Sequence, residues 1–426
     1  MRSFLYLIGI ISVISGPAFA QPAYDYLRDS PAVQLEPATE LTLDEALNLA
    51  LARSPSLSAA RYLAASSEGI VTQAGVIPNP VLSFEIEDTS RRPTRTTTST
   101  LSIPIELGGK RSARITAAEL TRDVARSDLQ GVRADVRSRT ISAFFDVLIA
   151  QEQVALTASA VDIASGALYV ATQRVAAGKV APLEENRAQV EVANAQLEQN
   201  EAQSALKAAR QRLSALWGNP SPMFTKARGD IDTLPTRPTL DDFAVALGDS
   251  PLVESARLAV ERSRAQIQVE RSKRYPDIEL SVGVARNNEL GRNQTIVGVA
   301  IPLPLFDRNQ GNVYEASMLA YKSRDDYREL KTRLMVELQQ AASAFDISKA
   351  AAGKLDSLVL PTANRAYETA RKGFEAGKFG FTEVIDAQRT LFQARTRYLT
   401  ALSDSYQALA RIERILAPKT NNTYEQ

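Results

Sequence analysis

The sequence contains no cysteine and no histidine among its 426 residues. Disulfide bonds, thiolate or imidazole metal sites, and catalysis by cysteine or histidine are therefore excluded. Basic and acidic residues balance at 50 to 49, so charge gives no argument for nucleic-acid binding. Because no nucleophile or metal-ligand pattern is recognisable either, we expect neither enzyme activity nor a cofactor nor a resident metal.

Residues 1–20 have the pattern of a secretory signal peptide. Arg2 precedes an apolar run from Phe4 to Ile14, and an Ala-x-Ala cleavage site ends at Ala20. The run is shorter than the roughly 20 residues that span a bilayer, which argues against the alternative of a membrane anchor. Gln21 follows the cleavage site, so we expect an exported chain without a lipidated cysteine. The rest of the chain lacks a long apolar run, which predicts no membrane-spanning helix.

The chain repeats itself with an offset of about 200 residues, far longer than a solenoid repeat. Thr-Leu-Asp at 42–44 recurs at 239–241, and Ala-Gly-Lys at 177–179 recurs at 376–378. We predict two duplicated units, with an extended segment before them, a linker between them and a tail after them. The expected boundaries are 21–40 for the segment, 41–218 and 239–417 for the units, 219–238 for the linker and 418–426 for the tail.

Each unit contains a predicted β-hairpin, at about 81–105 and about 277–304, in which apolar and polar residues alternate. We expect a lipid-facing side formed by the apolar residues Leu82, Phe84, Leu280 and Val282. We expect a water-filled side lined by Ser83, Glu85, Glu279 and Ser281. Strands of about 10 residues are long enough to cross a bilayer when tilted. A soluble sheet that covers a core is the alternative. Export favours a membrane barrel, which several chains must close because closure takes about eight strands or more.

Very long helices flank the hairpins. No proline interrupts the chain between Pro104 and Pro182, which predicts a helix from about 110 to 177 that is about 100 Å long. A return helix is predicted from Pro182 to Trp217. Apolar residues seven apart predict coiled-coil pairing in both units: Leu183, Val190 and Leu197; Ile385, Phe392, Leu399 and Tyr406. Pro361 should break or kink the matching helix of the second unit.

Both helix pairs turn at Ala-Gly-Lys. Gly178 and Gly377 suit a left-handed helix end. Glu184 and Glu383 occupy equivalent positions just past the turns, and Asp386 follows Glu383 by three residues. These acids have a plain structural explanation, because carboxylates in a first turn favour the helix dipole.

Taken together, the chain resembles the TolC family of outer-membrane efflux channels over about residues 40–417. The turn segments 174–179 and 373–378 resemble that family's helix-turn tips. Segments 104–111 (Pro-Ile-Glu-Leu-Gly-Gly-Lys-Arg) and 302–311 (Pro-Leu-Pro-Leu-Phe-Asp-Arg-Asn-Gln-Gly) resemble its cobalt–zinc–cadmium branch.

The resemblance implies a mainly α fold with a transmembrane β part. Three chains would build a 12-stranded β-barrel in the outer membrane of a Gram-negative cell and a periplasmic α-helical tunnel. The implied partners are two further copies of the chain, membrane lipid, a periplasmic adaptor protein and an inner-membrane pump of the resistance–nodulation–division type. The implied function is a passive exit duct for divalent heavy-metal cations.

By position, the resemblance assigns a periplasmic gate to Glu383 and Asp386, with Glu184 as the repeat-related candidate. It assigns adaptor docking to the turns at Gly178, Lys179, Gly377 and Lys378. Two alternatives stay open: a channel of the same family that exports drugs or proteins, and a periplasmic coiled-coil adaptor, which leaves the two hairpins unexplained.

Overall fold

The computed structural model describes residues 36–417. The predicted signal peptide, most of the segment after it and the tail at 418–426 lie outside the described residues. In chain order the elements are β1 Glu40–Leu41, α1 Leu43–Arg53, α2 Pro55–Ala74, β2 Val81–Glu87, β3 Thr96–Ile105, α3 Lys110–Ala176, α4 Pro182–Ala215, β4 Lys226–Ala227, α5 Leu240–Gly248, α6 Pro251–Ser272, β5 Ile278–Asn287, β6 Arg292–Ala300, α7 Gln310–Lys354, a π-helical turn Leu355–Val359, α8 Leu360–Glu375 and α9 Phe381–Leu416. The predicted mainly α fold with a β part is confirmed.

The two predicted hairpins join into one antiparallel sheet of order β2-β3-β5-β6. The register aligns the apolar positions of all four strands, as in the row Leu82–Leu101–Val282–Val297. The next row, Ser83–Thr100–Gly283–Ile296, belongs to the opposite, mostly small and polar face. The second hairpin ends at Ala300 rather than near 304, because the prolines at 302 and 304 have no N–H group to donate to a ladder.

The helices continue the order of the strands. Next to the sheet, α3 packs between α2 and α6, and α6 packs on α7. Further away, α4 takes the place of α2 beside α3, while α9 takes the place of α6 between α3 and α8. One layer, four elements wide, therefore runs from the sheet to the two helix turns.

The same capping box starts both units. Thr42 Oγ1 accepts from the backbone N–H of Glu45, and the Glu45 carboxylate accepts from the Thr42 N–H at 2.8 Å. Thr239 and Asp242 repeat both hydrogen bonds before α5. The predicted helix start at Thr42 is confirmed, and the repeated sequence makes a repeated structure.

Helix α3 spans 67 residues, as the absence of proline predicted. It is also the one helix in the described part that is long and apolar enough to cross a membrane by length and composition. The sequence prediction rested on a continuous run of apolar residues, and α3 has none. Its average hydropathy is high because alanine is frequent. Along its length α3 packs against α2, α4, α6 and α9.

The predicted heptad of α4 is wrong as a contact within the chain. Leu183, Val190 and Leu197 are more than half exposed. A parallel set of small residues is buried instead: Ala188, Ala195, Ala202 and Ala209. Alanine lets α3 and α4 approach closely, so the larger side chains turn outward. In α9 the heptad prediction holds, since Ile385, Leu399 and Tyr406 are buried and Phe392 is half-buried.

The irregularity predicted at Pro361 is a π-helical turn at Leu355–Val359, which ends two residues before the proline. Proline cannot donate the usual hydrogen bond and crowds the preceding turn. The wider π turn accommodates it, and α7 passes into α8 without a break in the helical path.

The largest core lies midway along the layer, where the two units meet. Phe144 and Phe145 of α3 pack there with Trp217, Tyr406 and the short parallel pair β1–β4. The carboxylate of Glu36 is buried beside them and accepts from Trp217 Nε1 at 3.0 Å and from the Met223 N–H at 2.7 Å. These bonds compensate the carboxylate for its loss of water.

Candidate functional site

Both helix turns at the far end of the layer have one geometry. Gly178 and Gly377 take positive φ angles of 68° and 72°. The next residues close the turns, because Lys179 N–H donates to Arg174 O at 2.9 Å and Lys378 N–H donates to Gly373 O at 2.8 Å. This is the glycine helix end that the sequence predicted. A Cβ added at either glycine would meet nothing within 4 Å, so both turns present open backbone.

The predicted acids differ in their surroundings. Glu383 and Asp386 are exposed and share one side of α9, while Val384 and Ile385 between them are buried. The Glu383 carboxylate folds back over the start of α9. Its Oε2 atom lies 2.7 Å from the position that a Cβ atom on Gly380 would occupy. Glu184 is half-buried in the first turn of α4, and its Oε2 atom has no hydrogen-bond partner among the described residues.

Further contacts at this end were not predicted. The Arg174 guanidinium lies over the Phe374 ring at 4.9 Å, which links α3 to α8. Arg389 of α9 forms an ion pair with Glu191 of α4. No repeat or spacing marks these residues in the sequence, because each contact joins two helices that are far apart along the chain.

The segments that resembled the metal branch form the junction between sheet and helices. Lys110 Nζ and the Leu107 N–H both contact Asp277 Oδ1, at 2.7 and 3.1 Å. Asn309 adopts a φ of 56° and donates from Nδ2 to the Glu270 carboxylate at 2.9 Å. Gly108 packs its bare Cα against the Tyr275 ring. These motif residues therefore fix how strands pass into helices.

A further contact holds α2, the outer helix of the layer, at the level of this junction. Arg111 Nε donates to the Gly75 carbonyl at the end of α2, at 2.8 Å. Together with the Lys110–Asp277 and Asn309–Glu270 contacts, it aligns the end of α2, the start of α3, the end of α6 and the start of α7.

The layer has two open edges. Among the described residues β2 and β6 each pair on one side only. Exposed side chains spaced four and three apart follow the α7 edge: Tyr314, Met318 and Tyr321. The same spacing on the α2 edge brings Tyr62, Ser66 and Gly69 to the surface. Unpaired strand edges need a partner or a cover.

The sequence profile described as "Outer membrane efflux protein" matches residues 46–219 and 244–417, one match for each half of the chain. The chain belongs to the outer membrane efflux protein family. The twofold match agrees with the duplicated structure. Membership also supports a location in the outer membrane.

The chain is 48% identical to the cobalt-zinc-cadmium resistance protein CzcC of Cupriavidus metallidurans, over 98% of this chain and 100% of that one. It is 27% identical to protein CyaE of Bordetella pertussis, over 90% and 85% of the two chains.

Solved outer-membrane proteins have the same fold. The outer membrane protein VceC of Vibrio cholerae matches with a TM-score of 0.73 at 19% identity, over 88% of this chain and 95% of that chain. The CmeC outer membrane channel of Campylobacter jejuni matches with a TM-score of 0.75 at 16% identity, over 92% and 93% of the chains.

Proposed function

We propose that three copies of this chain form an outer-membrane efflux duct. The two open edges carry this proposal. In the sheet β2 and β6 run in opposite directions, so β2 of one copy pairs antiparallel with β6 of the next and continues the existing alternation. Three sheets of four strands close a 12-stranded barrel, which leaves no open edge.

The helix edges support the same closure. α2 and α7 also run in opposite directions, so they meet antiparallel between copies. Met318 follows Asn309 by the same number of residues as Ser66 precedes Gly75. Both side chains therefore lie about 14 Å along their helices from the junction between sheet and helices. The exposed Leu183, Val190 and Leu197 of α4 then form a seam between copies rather than within one.

The alternating faces of the sheet fit a barrel wall. Leu82, Phe84, Leu280 and Val282 share the apolar face, which we assign to lipid. Ser83, Glu85, Glu279 and Ser281 share the opposite face, which we assign to the water-filled lumen. In the barrel pattern, apolar residues face outward and polar residues face inward.

We propose divalent heavy-metal cations as the cargo, because the full-length relative CzcC is named for cobalt, zinc and cadmium resistance. The composition is compatible with this cargo. A duct must release the ion, and a chain without cysteine or histidine has few groups that bind these metals tightly. In the described residues no three acidic side chains cluster as a metal site, and we propose no catalytic role.

We propose that a periplasmic adaptor docks at the turns formed by Gly178, Lys179, Gly377 and Lys378. The open backbone gives an adaptor helix room to approach, and the two exposed lysines can contact acidic groups on it. An inner-membrane pump of the resistance–nodulation–division type supplies the energy, since the duct itself has no energy source.

For the gate we propose Glu383 and Asp386, with Glu184 as a second candidate. Three copies of the exposed pair around an axis make a ring of six carboxylates, which attracts cations at the narrow end of the tunnel. Delivery requires export, and for this we propose a signal peptide at 1–20 that is cleaved without lipidation.

Complementation of a strain that lacks its metal-efflux duct tests the function. The chain should restore growth on cobalt, zinc or cadmium when it is supplied with the matching adaptor and pump. The same strain exposed to a drug panel tests the alternative of a drug duct. Restored drug resistance without metal resistance would replace the metal assignment and leave the channel intact.

A further inference from the structure

One charged side chain interrupts the apolar face of the sheet. The outward rows contain leucine, isoleucine, valine, phenylalanine, serine, threonine and asparagine, and Arg286 is the only charged residue on these rows of the described sheet. It lies in the row Ile86–Thr97–Arg286–Asn293, at the end of the sheet away from the helices. Arg286 is exposed.

A second arginine lies beside it. Thr97 is directly opposite Arg286, and Arg95 precedes Thr97 by two residues, so Arg95 points to the same face. Asn288 N–H donates to Arg95 O at 3.1 Å and continues the ladder beyond the strand. Diagonal neighbours across a strand pair lie about 7–8 Å apart. Two positive charges at that spacing repel each other, and an anion between them would remove this repulsion.

The hairpin loop adds more positive charge. Asn288 Nδ2 donates to Arg92 O at 3.0 Å, which holds the loop of the first hairpin against the turn of the second. Arg91 and Arg92 are exposed in this loop. Arg95 is half-buried. Its Nη2 donates to the neutral Thr89 carbonyl at 2.7 Å, and its Nε is buried without a hydrogen-bond partner among the described residues.

Nearby acids neutralise little of this cluster of Arg91, Arg92, Arg95 and Arg286. Asp88 accepts from Ser90 Oγ at 3.0 Å, from the Arg91 N–H and from Thr94 Oγ1, so it is used within the loop. Hydrogen bonds from Thr94 and Ser90 lower the pKa of Asp88 most, and the charge of Arg95 lowers it least. Glu87 belongs to the inward rows, and Glu289 is exposed in the neighbouring turn. No ion pair within the described residues includes any of the four arginines.

The position of the cluster matches a membrane surface. From Ile278 to Arg286 the strand extends about 26 Å at 3.3 Å per residue. A barrel tilt of about 35–45° reduces this to a height of about 19–22 Å, a few ångströms less than the apolar band of about 25 Å in outer-membrane barrels. The junction with the helices marks the periplasmic side. Arg286 therefore lies just inside the outer boundary of the apolar band, and Arg95, opposite Asn288 and two positions further out, lies at that boundary, where lipid headgroups begin.

We propose that the arginine cluster binds the phosphate groups of an anionic lipid in the outer leaflet. The proposal rests on the barrel orientation given above. Guanidinium groups bind phosphate through paired, charge-assisted hydrogen bonds. Arg286 and Arg95 supply the outward pair, and the loop arginines extend the same positive surface. Bound lipid then anchors the exit end of the duct.

Native mass spectrometry of the purified protein in detergent tests the proposal, with bis-phosphorylated lipid A as the probe. The variants are Arg286→Gln and Arg95→Gln. Arg292→Gln is the matched control, because Arg292 lies at the same end of the sheet but in an inward row with Asn287. We expect the double variant to bind lipid A at least about tenfold more weakly, while the control binds as the parent does.

Lipid A without phosphates should bind the parent as weakly as the double variant binds the phosphorylated form. Equal binding of both lipids, or equal binding by parent and double variant, would overturn the proposal. Inorganic phosphate at the same concentration should displace little lipid A, and full displacement would mean that the site takes free phosphate instead. Each variant should keep the parent's oligomeric mass and metal resistance, so a failure here is separate from a failure of the duct itself.

Discussion

The rings of Phe145 and Tyr406 stack face to face, with centroids 3.5 Å apart and planes 9° from parallel. Phe145 belongs to α3 of the first half and Tyr406 to α9 of the second. The Tyr406 hydroxyl shares its one proton between the carbonyls of Ile231 and Thr233 in the linker, at 3.2 and 3.1 Å. One contact therefore joins both halves and the segment between them.

Next to this stack, the Asp146 carboxyl accepts from Gln407 Nε2 over a long 3.5 Å. Burial raises the pKa of Asp146, and the Gln407 bond and Arg212 offset only part of that rise. The charged form is therefore disfavoured in the folded state. The resulting loss of folding stability is absent below the ordinary pKa of aspartate. It grows as the pH rises and is complete once the pH exceeds the raised pKa of the folded state.

Asp146→Asn removes that charge and keeps an oxygen that Gln407 can reach. We expect the variant to unfold at a higher temperature than the parent at pH 7, and at the same temperature at a pH below the ordinary aspartate pKa. Thermal unfolding followed by circular dichroism at both pH values measures this. A variant less stable at pH 7 would mean that the carboxylate is stabilising in place.

Neighbouring residues of β2 test which face meets lipid. Leu82→Arg is expected to cost about 2–4 kcal/mol of folding free energy, because it places a charge on the lipid face near the middle of the band. Ser83→Arg, one residue on, points into the lumen and should assemble normally. The yield of heat-resistant oligomer in outer-membrane fractions reports both. Equal losses at the two positions would show that the alternation does not mark a membrane wall.

Gly178→Asp and Gly377→Asp test the docking turns. Each substitution puts a charged side chain where the turn now presents open backbone, so we expect lost metal resistance with a normal amount of oligomer in the outer membrane. Asn at the same positions separates added bulk from added charge, since asparagine tolerates the left-handed conformation.

Gly166→Asp is the control for these variants, because Gly166 also has open space around it but lies within α3. Lost oligomer in the turn variants would indicate a folding role. Retained resistance would mean that the adaptor contacts another surface.

The double variant Glu383→Ala and Asp386→Ala tests the gate. Without the carboxylate ring we expect weaker cation preference and a leakier channel in planar bilayers. Asp404→Ala is the control, an exposed acid on the same helix far from the turn. If the two acids only favour the start of α9, conductance and ion preference will match the parent and stability alone will fall.

Sequence patterns predicted the local structure well for clear reasons. The length of α3 followed from a missing proline, both turns followed from their glycines, and the hairpins followed from the alternation. The pairing of β3 with β5 was not predicted, because the alternation of apolar and polar residues in a strand does not specify which strand of the other half it pairs with. The heptad of α4 was assigned to the wrong neighbour, since periodicity shows that a seam exists but not which helix the seam faces. Val190 and its equivalents point away from α3, while Ala188 packs inside.

The candidate site shows the same division. The turns followed from local chemistry, whereas the contacts of Arg174 with Phe374 and of Arg389 with Glu191 depend on how distant helices pack. The segments that resembled the metal branch pointed to a cargo, and the structure places them at the junction between strands and helices. Their residues fix geometry there.

Closure of the layer by neighbouring copies can be tested by cysteine crosslinking, because the chain has no native cysteine. The variant Ser66→Cys with Met318→Cys should form a disulfide between copies on mild oxidation in the outer membrane, giving a covalent species of three chains on a denaturing gel. Ser66→Cys with Ile347→Cys is the control, because Ile347 is exposed on the same helix about 43 Å further down. Trimers from the first pair alone are the expected result; no linked species from the first pair, or equal linking by both pairs, would contradict the claim.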